Sequence, residues 1–191
     1  LFLMASLILA ALMIIAFLCV YLVARFGTAI QAILMNIARL VRPLGPEDYK
    51  IGVFIGYADD DYSFVRHVLM TYLEERCQMV TFVHQRDLGQ GYKVKQFDQA
   101  ITNSWRVLLV LSRSFLQDYD MSQIVMMFAS HSVTAMNRKR VIALVEKGQV
   151  HAIPSDLYGV LDESSIIFFD DFHNQLNYEQ RHRIKHCLRP S

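Results

Sequence analysis

The longest apolar run of the chain lies at its start, where Leu1–Ala24 contains no charged side chain. As an α-helix this run is about 36 Å long, and the hydrocarbon core of a bilayer is roughly 30 Å thick. We therefore predict a transmembrane helix over residues 1–25, with the lipid bilayer as its partner. A cleaved signal peptide would have a shorter apolar core, a preceding basic stretch and a following small-residue cleavage site, and none of these is visible.

Residues 26–46 show a different pattern, in which apolar positions fall on one helical stripe. Arg25, Arg39 and Arg42 all precede the first acidic residue, Glu47. Basic flanks stay on the cytoplasmic side of a membrane, so we expect the rest of the chain in the cytoplasm. The stripe predicts an amphipathic juxtamembrane helix on the bilayer interface, with its arginines near the headgroups. A solvated linker helix is the alternative.

From Lys50 onward, short apolar runs alternate with longer segments of helical period. The predicted strands are Lys50–Tyr57, Met79–His84, Trp105–Ser112, Arg140–Glu146 and Ser165–Asp171. The third is apolar at five consecutive positions, Val107–Leu111, which predicts a strand covered on both faces at the centre of the sheet. Residues 47–191 have the size of one domain. We predict a single α/β domain with a five-stranded parallel sheet flanked by helices, of flavodoxin-like order.

The segments between the strands carry helical signals. After the first strand, Asp59–Asp61 offers N-cap side chains for a helix with one apolar face. That face comprises Val65, Val68, Leu69, Tyr72 and Leu73. A Met-rich helix is predicted around 121–136, with Met126, Met127 and Phe128 as core, and a final helix over 174–188. Phe54 and Phe97 are also predicted to be core residues.

Composition narrows the classes of function. The chain has 19 lysines and arginines against 18 aspartates and glutamates, so no strongly basic face predicts nucleic-acid binding. Cys19, Cys77 and Cys187 are scattered and form no disulfide pattern, which is typical of a reducing compartment. His182 and His186 have metal-compatible spacing but no third ligand, so we expect a solvated basic face and no metal site.

Chemically active groups are expected just after the predicted strands, because functional loops of such sheets lie beyond the carboxyl ends of the strands. A phosphoacceptor site would need an Asp after the third strand and a Lys after the fifth, and the chain has neither. No phosphate-binding glycine motif follows a strand, so no nucleotide cofactor is predicted. Ser112 lacks the flanking glycines of an exposed nucleophile and is predicted to be a helix N-cap.

The loop after the second strand remains, and it comprises Arg86, Asp87, Leu88, Gly89, Gln90 and Gly91. Its two glycines permit positive φ angles and an exposed excursion. Arg86 and Asp87 carry opposite charges that can pair locally or across an interface. The loop is therefore either a recognition loop or an ordinary connection stabilised by an Asp side chain.

Three stretches together resemble the TIR domain of Toll-like receptors, from about Asp48 to Leu188. They are Val53–Asp61, which resembles the first conserved box of the family, Phe82–Gly91, which resembles the second, and Val107–Leu116, which is similar to the third strand and its Ser-x-x-Phe turn. Gln90 stands where family receptors typically have Pro, which removes a φ restraint from the loop. The third box is represented at best by Phe168–Phe169, and Asp120–Met121 replaces a Trp-Cys pair.

The resemblance also bears on catalysis. Some TIR domains hydrolyse NAD with a glutamate on the helix after the third strand, and that register falls here at Gln123 or Ile124. Neither side chain is a carboxylate, and Asp118 and Asp120 lie a turn or more away. A catalytic acid must be within hydrogen-bond reach of its substrate, so no enzymatic activity, catalytic residue or cofactor is expected.

The resemblance implies an innate-immune receptor segment. Its TIR domain would pair with another in a receptor homodimer or heterodimer and recruit cytosolic TIR adaptors, at the plasma membrane or an endosome. The loop would form the interface, with Leu88 as its apolar tip and Tyr92 and Lys93 as flanks. Because the chain begins with Leu1, we expect a missing ectodomain before it. There are two alternatives. One is an NAD-cleaving enzyme. The other is a decoy receptor that binds adaptors without signalling, and Gln90 in place of Pro is compatible with it.

Overall fold

Five strands form one parallel sheet. The computed structural model of the protein describes Met13 and residues 45–118, 120–133, 138–169 and 175–189. The strands are β1 (Ile51–Gly56), β2 (Thr81–Val83), β3 (Ser104–Leu111), β4 (Val141–Glu146) and β5 (Ile166–Phe169). Their order is β2-β1-β3-β4-β5, and every neighbouring pair is parallel. The predicted α/β class and flavodoxin-like order are confirmed.

Strand β3 is the centre of the sheet, as its apolar run predicts. All of its residues are buried, and it pairs with β1 on one side and β4 on the other. Because helices cover both faces, neither face of β3 needs polar side chains. Ser104 and Arg106 are the exceptions, and both residues are fully buried.

The helices that follow the strands have bounds close to the predicted ones. They are α1 (Val65–Arg76), α2 (His84–Asp87), α3 (Lys93–Thr102), α4 (Arg113–Gln117), α5 (Met121–Ser132), α6 (Ser155–Tyr158) and α7 (Tyr178–Leu188). The last begins at Tyr178, four residues after its predicted start, with Asn177 and Gln180 forming a capping box. Residues 134–136 of the predicted Met-rich helix lie outside the described residues.

Helix α1 differs from its prediction in both winding and capping. It is a π-helix, and the amide of Cys77 donates to the carbonyl of Tyr72, five residues earlier. A 3₁₀ turn at Asp59–Asp61 and a short α-helical turn at Tyr62–Phe64 precede it. None of the three aspartates caps a helix through its side chain. The N-cap prediction was therefore wrong, and two of these carboxylates instead contact other loops.

Two apolar layers cover the sheet. On one face, α1 and α7 pack against alternate strand residues such as Val53 and Leu108. On the other face, α3 to α6 pack against Phe54 and Leu109. Phe54 and Phe97 are buried, which confirms both as core. The Met-rich prediction is only partly right, because Met126 is buried while 47% of Met127 is exposed.

Two buried arginines fix both ends of the domain at the amino edge of the sheet. The Nε of Arg106 donates to the carbonyl of Cys187 at 2.9 Å, and an Nη donates to the carbonyl of Arg189 at 3.0 Å. Arg140 donates to the carbonyl of Ser104 at 3.1 Å and lies over the ring of Tyr49. Burial lowers the pKa of Arg106 to about 10. The chain therefore enters and leaves the domain at the edge where β1 and β3 begin.

The predicted transmembrane helix (1–25) and nearly all of the juxtamembrane segment (26–46) lie outside the described residues, as do Arg25, Arg39 and Arg42. Within the described part of the chain, no helix has both the length and the apolar character that a bilayer crossing needs.

Candidate functional site

The predicted recognition loop divides into a helical base and an exposed tip. Arg86 and Asp87 belong to the last turn of α2, which follows β2 directly. The tip begins after Leu88 and runs through the exposed residues 89–92 to α3. The segment thus leaves the carboxyl edge of the sheet, where parallel α/β folds place their functional loops.

The charges of Arg86 and Asp87 pair locally. The Nε of Arg86 donates to Oδ1 of Asp87 at 2.8 Å, and its Nη1 donates to Oε1 of Glu74 at 2.9 Å. Arg86 also donates to the carbonyl of Thr81 at 2.5 Å, and Oδ2 of Asp87 accepts the amide of Val83 at 2.8 Å. Because about two fifths of the Arg86 and Glu74 side chains is exposed, their pair adds only about 0.2–1 kcal/mol. These residues form a base rather than a free contact surface.

The pKa values of this base favour its charged state. Hydrogen bonding to Asp87 raises the pKa of the Arg86 guanidinium. Burial opposes ionisation of Glu74, but hydrogen bonds from Thr81 and Arg86 outweigh it and lower the pKa of that carboxyl. Both Arg86 and Glu74 are therefore charged near neutral pH.

Leu88 is not the apolar tip that the sequence predicted. It is partly buried and packs against the apolar layer that contains Phe97. The most exposed large side chain of the segment is Tyr92, at 88%, and Lys93 beside it is also exposed. The prediction that Leu88 is the tip was based on its apolar side chain. That side chain lies next to the core, and it is more stable when it packs inward.

A glutamine that the sequence analysis missed braces the tip. The amide of Gly89 donates to Oε1 of Gln96 at 2.9 Å, and Nε2 of Gln96 donates to the carbonyl of Gly89 at 3.2 Å. Gly91 has a φ of 132°, a value that other residues rarely adopt, while Gly89 needs no positive φ. No simple periodicity reveals Gln96, because its partner is a backbone seven residues away.

A cavity of about 260 Å³ lies between this segment and the ends of β1 and β3. Its ionisable lining residues are Asp59, Asp60, Asp118, His84 and Lys93. Leu88 and Ser122 also line it. Carboxylates therefore outnumber the cationic groups among the described residues of the lining.

Two aspartates of the first loop have pKa values that are shifted in opposite directions, one by hydrogen bonds and the other by burial. Oδ1 of Asp59 accepts from Nε2 of His84 at 2.9 Å and from Gln85 at 2.8 Å, and these bonds lower the pKa of Asp59. Burial instead raises the pKa of Asp61, although the hydroxyl of Ser112 donates to its Oδ2 at 2.5 Å. The Ser112 Oγ also accepts the amide of Phe115 at 3.0 Å. Ser112 is thus the N-cap of α4, as predicted.

The two positions in the glutamate register do not line this cavity. Gln123 and Ile124 line a separate groove between α5 and α6, next to Met127 and Leu157. Asp118 does line the cavity, although it lies a turn or more from the expected glutamate register at Gln123 or Ile124. The hydroxyl of Ser122, four residues later, donates to the backbone carbonyl of Asp118.

The remaining titratable candidates lie on the surface or in the core. His182 and His186 are exposed on α7, as predicted, and the described residues contain no cluster of three or more metal-ligating side chains. Cys187 is buried and Cys77 is partly buried, and both pack in the layer beneath α1 and α7. Burial raises the pKa of Cys187, so its thiol stays protonated near neutral pH.

Comparisons with known proteins agree with this architecture. The chain is 28% identical over 123 residues to Toll-like receptor 4 of Pinctada imbricata, covering 63% of this chain and 14% of that protein. It is 27% identical over 143 residues to Protein toll of Drosophila melanogaster, covering 72% of this chain and 13% of that protein. The chain therefore spans only about an eighth to a seventh of the length of these curated relatives.

A solved structure shares the fold. A metazoan TIR-STING receptor from C. gigas, in complex with 2',3'-cGAMP, matches with a TM-score of 0.60 and 24% identity, over 78% of this chain and 42% of that one. The sequence profile of the TIR domain matches residues 53–186, which include all of the sheet beyond Gly52. They also include the loop at residues 86–91 that Gln96 braces, here called the braced loop, and the cavity lined by three carboxylates, here called the acidic cavity. The chain thus belongs to the TIR domain family, with Toll receptors among its relatives.

Proposed function

We propose that this chain is the membrane-anchored signalling segment of an innate-immune receptor, at the plasma membrane or an endosome. In this proposal its TIR domain lies in the cytoplasm, pairs with a second TIR domain and recruits cytosolic TIR adaptors. The similarity to two Toll receptors supports the class of function. A tether to the bilayer raises the effective concentration of the domains, so that weak contacts suffice.

The proposal rests on the fixed conformation of the braced loop and the exposure of Tyr92 beside it. Its base is fixed by the Arg86 network and its tip by the two hydrogen bonds of Gln96. Tyr92 then stands exposed on a backbone that is already ordered. A preordered aromatic side chain loses little conformational entropy on binding, and aromatic residues are enriched in the centres of interfaces.

The acidic cavity supports a binding module over an NAD-cleaving enzyme. Three carboxylates line it, and they oppose the entry of the negatively charged pyrophosphate of NAD. Its volume of about 260 Å³ also falls below the range of about 300–1,000 Å³ that is usual for small-molecule sites. We therefore infer that the domain acts through its surface and needs no cofactor.

A fused dimeriser tests the loop. Clustering the full chain in cells should activate downstream transcription, and Tyr92→Ala should reduce that output by tenfold or more, as expected when an interface anchor is removed. Tyr178→Ala is the matched control, because Tyr178 is 85% exposed but lies on α7, and its output should stay unchanged.

Equal output from Tyr92→Ala and the unsubstituted chain would contradict the interface assignment. A chain that binds adaptors but gives no output on clustering would instead favour the decoy receptor. In that case Gln90→Pro, which restores the residue typical of family receptors, should restore output, because Pro supplies the missing φ restraint.

The enzymatic alternative has its own test. Purified chain incubated with NAD should release no nicotinamide above a buffer blank. If nicotinamide does appear, the proposal of a silent module is wrong, and Asp118→Asn identifies whether the carboxylate that lines the cavity carries the reaction.

A further inference from the structure

A second concave surface lies on the face of the domain that α1 and α7 cover. It is an open cleft of about 350 Å³ where α1 passes the start of α7. Three basic side chains line it, His67, Arg76 and Arg181, together with the polar side chains of Thr71 and Gln175. Among the described residues, no carboxylate belongs to its lining.

The arginines of the cleft keep donors available for a ligand. Within the described part of the chain, the side chain of Arg76 makes no ion pair or hydrogen bond. The Nε of Arg181 donates to the carbonyl of Leu176 at 2.8 Å, which fixes the side chain beside the cleft. The hydroxyl of Tyr72 donates to the backbone carbonyl of Arg181 at 2.8 Å and links the two walls.

The acidic residues of the two helices do not neutralise this surface. Glu74 is engaged by Arg86 and Thr81 on the other side of α1. Glu75 and Glu179 lie on the same helices but do not line the cleft. The described lining is therefore positive, and its charge is separate from that of the acidic cavity at the carboxyl edge.

We propose that this cleft binds a multiply phosphorylated anion of the inositol phosphate class. Two guanidinium groups on opposite walls provide planar donor pairs that match phosphate oxygens, and Thr71 and Gln175 add neutral donors. The cleft volume falls within the usual range for small-molecule sites. Such an anion is either free in solution or the headgroup of a membrane lipid.

The experiment uses the full chain in discs of neutral phosphatidylcholine. In one arm, the chain is titrated with soluble inositol trisphosphate by calorimetry. In the other, the discs are mixed with vesicles of phosphatidylcholine that contain a small fraction of phosphatidylinositol bisphosphate, and co-flotation is measured. Binding in the first arm identifies a free ligand, binding in the second a lipid headgroup, and either supports the cleft. In both arms, higher salt should weaken binding.

Variants then locate the site. Arg76→Gln and Arg181→Gln should each weaken binding about tenfold, because each removes charge-assisted hydrogen bonds. Arg66→Gln is the matched control, since Arg66 is exposed on α1 but does not line the cleft, and its affinity should stay within about twofold. Thermal unfolding of each variant checks that it folds, and the Arg76 side chain has no hydrogen bond or ion pair to lose among the described residues.

Two results would overturn the proposal. One is the absence of binding in both arms. The other is equal weakening by Arg66→Gln and Arg76→Gln, because the attraction would then be a general effect of charge rather than a property of the cleft.

Discussion

Single residues decide the shape of the exposed loop, and the two glycines at its tip do so unequally. Gly91 has a φ of 132°, at which a side chain is strained, whereas Gly89 has no positive φ and a Cβ there would make only an ordinary 3.8 Å contact with Oε1 of Gln96. We predict that Gly91→Ala lowers the free energy of unfolding by about 1–3 kcal/mol or rearranges the tip. Gly89→Ala, the matched control, should stay within about 0.5 kcal/mol. Urea unfolding measures both.

The same pair of variants also tests the loop as an interface. If its conformation matters for signalling, Gly91→Ala should reduce the output of the clustered chain more than Gly89→Ala does. Equal and normal output from both would mean that the tip conformation is irrelevant to recognition.

Asp61 makes stability depend on pH. Burial raises the pKa of Asp61 in the folded state. The folded state therefore binds the proton more tightly than the unfolded chain does. The resulting stabilisation is present below the unfolded pKa of about 3.9 and is lost as the pH rises through the folded pKa. Asp61→Asn cannot titrate, and its carbonyl still accepts from Ser112. Relative to the unsubstituted chain, this variant should gain stability as the pH rises from about 4 toward neutral.

The measurement is urea unfolding at several pH values, with Asp60→Asn as the control because Asp60 is exposed. A stability difference between Asp61→Asn and the unsubstituted chain that does not change with pH would show that Asp61 is not the titrating group.

At the scale of elements, Gly56 sets how closely α5 approaches the end of β1. A Cβ at this position would lie 2.7 Å from Cδ2 of Leu109 and 2.9 Å from Cγ1 of Val125. Gly56→Ala should therefore cost about 1–3 kcal/mol through overpacking. The double variant with Val125→Ala should cost less than the sum of the two single variants, because the second substitution makes room for the added methyl group. A strictly additive double variant would contradict this contact.

Apolar patterns predicted the sheet well because its central strands are covered on both faces. The six apolar residues within β3 permit no other position than the centre, and the order of the strands followed from the alternation with helices. The winding of α1 was not predictable in this way. A stripe of apolar residues such as Val65 and Leu69 is compatible with more than one helical pitch, and the π form shows only in its hydrogen bonds.

The site was predicted in position but not in detail. The sequence located the segment from Arg86 to Lys93 through its glycines and family resemblance. It did not show that Arg86 and Asp87 are occupied by local partners, that Leu88 packs inward or that Gln96 braces the tip. Each of these depends on specific side-chain contacts in the folded chain, which composition and periodicity do not reveal.

At the scale of the whole molecule, the predicted transmembrane helix awaits its own test. The full chain with a C-terminal epitope should remain in microsomal membranes after alkaline extraction, and protease added outside the microsomes should remove the epitope. Replacing Ile14 and Ile15 by Arg should release the chain, because each central charge costs about 2.5–3.5 kcal/mol on insertion. An epitope protected from protease would contradict the predicted orientation.

The two buried arginines at the amino edge carry a consequence for handling the protein. Tyr49 near the entry and Arg189 near the exit are both held where β1 and β3 begin, while Tyr92 stands beyond the opposite edge. A fluorescent reporter or an affinity handle fused beyond Arg189 would emerge far from Tyr92. A chain that carries such a label should therefore leave Tyr92 and the braced loop accessible to a binding partner.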